Sequence, residues 1–134
     1  MQIPAAWFVP ARGAEAVPRA SDLVVSQLAG DLQRHVAALT ARPGFERHYW
    51  LQTQLRRSAS AACSAIADGF SHSNPHDFAR FIRSARMLID DARNQIVQAK
   101  ALGLVPAVEA DRLRVLADRA SAAASSLLRY LQAS

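Results

Sequence analysis

Arginine is the side chain in this sequence best equipped to do chemistry. Arg47, Arg56 and Arg57 fall in a stretch that reaches Ala67 without one acidic residue, and Arg80, Arg83, Arg86 and Arg93 follow as a broad band. A guanidinium group is planar, permanently charged and forked, so it matches phosphate oxygens. Several of them on adjacent helix surfaces can follow a phosphate backbone, giving affinity without reading bases. The alternative role is structural. Arg83 and Arg86 can pair with acids of the same chain or across a subunit interface, and Asp90 stands at the i, i+4 spacing from Arg86 that favours such a pair.

Other chemistry finds few residues to use. Asp90 and Asp91 are adjacent and diverge by about 100° on a helix, so they do not share a ligand easily. Bundle di-metal sites need inward glutamates and Glu-x-x-His motifs. Glu15, Glu46 and Glu109 are the only glutamates, and none has a histidine at that offset. His72 and His76 straddle a turn at Pro75, whereas His35 and His48 stand apart. Cys63 lies in an Ala-rich helical segment with no adjacent base and reads as a small buried hydrophobe. It is the single cysteine, which excludes an intramolecular disulfide. No Gly-rich phosphate loop follows a strand. We therefore expect no catalytic residues, no metal and no cofactor.

The elements that must position the arginines are helical. The chain has 134 residues, enough for one core, and 51% are hydrophobic, rich in Ala and Leu and poor in aromatics. Its formal net charge is +5 and Lys100 is the single lysine, a balance that attracts polyanions. No apolar run approaches a membrane span, and the N-terminal segment, broken by Pro4, Pro10 and Pro18, does not read as an export signal. The expected location is the cytoplasm, with no membrane partner.

Residues 1–20 read as an extended N-terminal arm. Its Trp7 and Phe8 either fold back on their own bundle or dock on a neighbouring subunit as an oligomer contact. Residues 21–134 read as four helices. The first is capped by Ser21 or Asp22, carries Leu28, Leu32, Val36 and Leu39 on one stripe, and stops at Pro43 and Gly44. The second runs from near Phe45 or Glu46 to Phe70, burying Leu51, Leu55, Ala59, Ala62 and Ile66. Gly69 is placed to take a left-handed conformation at its end. Ser73 or Asn74 caps the third, with Pro75 in its first turn and Asp77 near the positive end of its dipole. Phe78, Phe81, Ile82, Ala85, Leu88, Ile89, Ala92, Ile96 and Ala99 make its apolar face. Gly103 ends it, Pro106 opens the fourth, and Leu113, Leu116, Ala120, Ala124, Leu127, Leu128 and Leu131 recur at helical spacing. Short links between long helices imply an all-α, antiparallel up-down-up-down four-helix bundle.

Three segments carry a family resemblance. Gln54-Leu55-Arg56-Arg57, Ile66-Ala67-Asp68-Gly69 and the Phe78, Arg80, Phe81 set, with Leu102-Gly103 further on, resemble motifs of the S23-like proteins. These are small bacterial four-helix bundles first noticed as products of intervening sequences within large-subunit rRNA genes. The likeness extends from about Asp22 to Leu131. Ala65 stands where the family usually has Asn, and Asp68 where it has Glu. The resemblance implies a homo-oligomer, a ring of five, similar in architecture to the accessory proteins of diversity-generating retroelements, which work beside a reverse transcriptase and its RNA. Asp68, Gly69 and Pro75 would form the structural turn between the second and third helices.

Together these readings give a non-enzymatic homo-oligomeric scaffold whose basic surface binds RNA or DNA, with structured RNA or a ribonucleoprotein foremost. The alternative is a protein-interaction module holding an acidic protein partner.

Overall fold

The computed structural model describes residues 3–9 and 19–133, and these form an all-α four-helix bundle. The helices are α1 (Val24–Thr40), α2 (Tyr49–Phe70), α3 (Pro75–Ala101) and α4 (Ala107–Gln132). They pack in chain order, and α4 returns to lie beside α1. On the α3–α4 seam Arg93 meets Asp118 and Lys100 meets Asp111, so these two helices run in opposite directions.

Each helix is laid down by its apolar stripe. Leu32, Val36 and Leu39 of α1, Leu55 and Ile66 of α2, Ile82, Ile89 and Ile96 of α3, and Leu113, Leu127 and Leu131 of α4 are all buried. Full burial of such a side chain contributes about 1.5–3 kcal/mol. Between them lie Ala29, Ala59, Ala62, Ala85, Ala92, Ala117, Ala120 and Ala124, whose small volume lets the helix axes approach closely. Leu28, Phe81, Leu88 and Leu116, expected on the same faces, are half-buried at the edges of the core.

The helix ends follow their capping chemistry. Asn74 accepts a hydrogen bond from the His76 backbone N–H at 2.8 Å, and Pro75 occupies the first position of α3, as expected. At the other end the Leu104 N–H reaches the Ala99 carbonyl and the Gly103 N–H the Lys100 carbonyl. This Schellman closure needs a left-handed residue, supplied by Gly103 at φ +75°.

Three expectations are corrected. Gly69 is not left-handed; it remains within α2, where α3 packs closely against it. A Cβ at Gly69 would lie 2.7 Å from Cβ of Phe81 and 2.9 Å from Cδ1 of Phe78. The first helix begins at Val24 instead of Ser21 or Asp22, since Leu23 is extended and fully buried. Its backbone bridges Phe8, and the Val9 N–H donates to the Asp22 carbonyl at 2.6 Å. The second helix is preceded by a tighter turn over Phe45–His48, set by Gly44 at φ +102°, whose N–H donates to the Glu46 carboxylate.

The described part of the arm, residues 3–9, folds back on its own bundle. Trp7 lies against Tyr130 with ring centroids 6.0 Å apart, and Phe8 meets Phe70 edge-on at 6.3 Å. Both are half-buried. No described helix is long and apolar enough to cross a membrane.

Candidate nucleic-acid interface

The structure divides the seven candidate arginines into engaged and unengaged groups. Arg56 braces the fold: its Nε donates to the Thr40 hydroxyl at 2.8 Å, and that hydroxyl, fully buried, donates to the Val36 carbonyl at 2.7 Å. Arg93 donates through Nε to Asp118 at 2.6 Å. Arg80 stands 3.9 Å from Asp77, a loose pair one turn apart on an exposed surface. Arg47, Arg57, Arg83 and Arg86 have no ion pair or hydrogen bond from their guanidinium groups among the described residues. Arg47, Arg57 and Arg83 are exposed and Arg86 is half-buried.

The expected Arg86–Asp90 pair is absent. Lys100, Arg93 and Arg86 recur every seven residues along the α3 edge that meets α4, and the first two find Asp111 and Asp118. One more step of seven on each helix sets Arg86 level with Ser125, where no acid is available, while Asp90 is exposed. Among the described residues Arg86 therefore keeps an uncompensated charge, while Arg93 and Lys100 on the same edge are paired.

Two further features escaped the reading of the sequence. Arg112 and Arg119 on α4 are exposed without an ion-pair partner among the described residues. More conspicuously, Tyr49 and Trp50 are 71% and 76% exposed. Their register was legible: Leu51, Leu55, Ala59, Ala62 and Ile66 fix the buried stripe of α2, which leaves the two aromatics before Leu51 rotated off it by about 100° per residue. They border a cavity of about 590 Å³ whose other walls are Arg47, His48, Leu51, Gln98, Ala101 and Leu102.

Asp68 serves the α2–α3 turn through its backbone carbonyl, which accepts from the N–H and hydroxyl of Ser71; its exposed carboxylate has no partner among the described residues. His72 stacks on Phe81 at 5.0 Å. Cys63 is half-buried, and burial pushes its thiol up, opposed by the charge of Arg34. No group of three or more His, Cys, Asp or Glu suited to a metal occurs among the described residues.

Fold and surface together define a small helical bundle, Ala-rich inside, with unneutralised arginines on its exterior. The chain belongs to the 23S rRNA-intervening sequence protein family, which matches residues 21–126. That span contains the whole of α1, α2 and α3 and all but the end of α4. None of the curated proteins matches the chain.

Proposed function

We propose that this protein is a non-enzymatic homo-oligomeric scaffold whose arginine-bearing exterior binds nucleic acid through the phosphate backbone, with structured RNA or a ribonucleoprotein foremost. The observation that carries this reading is the set of four arginines, Arg47, Arg57, Arg83 and Arg86, left without partners among the described residues while Asp111 and Asp118 between α3 and α4 are already engaged. The stretch from Arg47 to Ala67 adds no negative charge to oppose them. The family's name, which ties it to 23S rRNA, is compatible with RNA association.

Fluorescence anisotropy of nuclease-treated protein against structured RNA, duplex DNA and single strands, across a salt series, tests the reading. Each phosphate contact adds roughly 0.9 to the log–log salt slope on a duplex, so three or four contacts give a slope of about −3. Arg57→Glu with Arg83→Glu is expected to weaken binding at least about tenfold by removing two such contacts and adding repulsion. Absence of binding at low salt would make the arginines structural.

Self-association has its own support. Val108 and Val115 lie seven residues apart on α4 and are 66% and 53% exposed, with Ala122 continuing the row. A ring of five is what the family resemblance implies. Light scattering that returned a monomer mass at micromolar concentration would end the oligomer proposal. The runner-up role, a module that holds an acidic protein, draws on the same unpaired arginines. A complex seated on an apolar face such as the valine row would show a much shallower salt dependence.

A further inference from the structure

Resting on the phosphate-binding reading, we infer that the cavity between the start of α2 and the end of α3 is a stacking site for an unpaired base of single-stranded RNA. Trp50 is the key observation. Leu51 holds the core position at this level, so the indole has no packing duty and stands 76% exposed, beside Tyr49 at 71%. Large aromatic faces held open to water beside cationic side chains are the working parts of single-strand binding surfaces.

The cavity's dimensions and lining fit that ligand. At about 590 Å³ it is within the range of small-molecule sites and has room for a nucleobase. Leu51 and Leu102 supply apolar walls, while Gln98 and His48 bring an amide and an imidazole to the rim. Neither side chain has a hydrogen-bond partner among the described residues, so their donors and acceptors are free for a base edge. Arg47 lines the same cavity, and Arg57 follows Trp50 by seven residues, roughly 10 Å along α2 at 1.5 Å per residue. Both are unpaired. A strand laid along this face meets a guanidinium, an aromatic platform and a second guanidinium in turn. Stacking accepts any base, so the site selects unpaired over paired RNA and does not select sequence.

The protein has two tryptophans, Trp7 and Trp50, so a Trp7→Phe background reports on Trp50 alone. Titration with a short oligoadenylate is expected to quench this fluorescence saturably, while a blunt RNA duplex binds without quenching. Trp50→Ala is expected to weaken the single strand by about 5- to 150-fold and to leave duplex affinity unchanged, with Trp50→Phe intermediate. Because Trp50 is exposed, the variant should keep the parent's circular dichroism and melting temperature. Equal single-strand affinity in parent and Trp50→Ala, with duplex binding intact, would overturn the stacking site and leave the phosphate reading standing. Failure of the parent to bind either RNA would remove both. Trp50 fluorescence that changed with protein concentration alone, together with a lower mass for Trp50→Ala, would make the cavity a contact between copies and overturn the proposal.

Discussion

Gly69 shows how much a single hydrogen atom can decide. In an ordinary helix interior, replacing glycine by alanine gains up to about 1 kcal/mol through backbone entropy. Here the new methyl would meet Cβ of Phe81 at 2.7 Å and Cδ1 of Phe78 at 2.9 Å, and the first of these is fixed to the α3 backbone. Relief requires α2 and α3 to separate, so Gly69→Ala is expected to destabilise the fold by about 1–3 kcal/mol, the usual scale of overpacking. Urea unfolding checks this, and a variant as stable as the parent would show that the crossing can relax freely. Thr40 is the opposite case, a buried polar atom whose partners are complete: it donates to α1 and accepts from Arg56 of α2. Arg56 and Arg57 are neighbours in sequence, yet one braces α1 against α2 and the other faces solvent unpaired.

At the level of elements, most of the architecture was legible because helical periodicity, Pro75, Asn74 and Gly103 each act locally. What was hidden depends on a neighbouring helix. The sequence cannot show that α3 crosses at Gly69, and so glycine there reads as a terminator. Nor can it show that Arg93 finds Asp118 while Arg86 reaches the level of Ser125, so the arginine band reads as uniform. Trp50 was recoverable from the stripe of α2, though its cavity needed the end of α3. The α1–α4 seam is another contact between distant elements. Just past the end of α1, Arg42 binds Glu109 of α4 through both terminal guanidinium nitrogens, one of the two bonds measuring 2.8 Å. That bond is the largest cause holding the Glu109 carboxyl below its usual range; burial opposes it, and the charges of Arg42, His35 and Arg112 each add a smaller downward pull. A depressed carboxyl stabilises the fold above its unfolded value and loses that contribution as pH falls through the folded one. The pair is substantially exposed, with side chains 44% and 34% accessible, so solvent screening limits it to at most about 1 kcal/mol. Arg42→Ala is accordingly expected to melt a few degrees below the parent at neutral pH, with the gap closing in acid once Glu109 is protonated. Thermal melts at the two pH values check the sign, and a gap that persisted in acid would assign the loss to packing of the Arg42 stem.

For the molecule as a whole, the order in which the helices pack has a consequence for how it opens. The contacts of α2 with α3 and of α3 with α4 join neighbours in the chain, whereas the α1–α4 seam joins residues as far apart as Arg42 and Glu109. Bringing distant segments together costs more chain entropy, and α1, at 17 residues, is the shortest of the four helices and has the least surface to offset it. The α2–α4 portion is thus expected to form first and α1 to dock last, and in the native state α1 should be the first helix to detach. Amide hydrogen exchange reads this directly: α1 should exchange through a partial opening well below the free energy of global unfolding, while the middle of α3 exchanges only with the whole molecule. Uniform protection across the four helices would instead mean a bundle that opens all at once. The side-to-side closure by Arg42, Glu109, Trp7 and Tyr130 is then a latch, and its strength sets how often the alanine-lined interior is exposed to water.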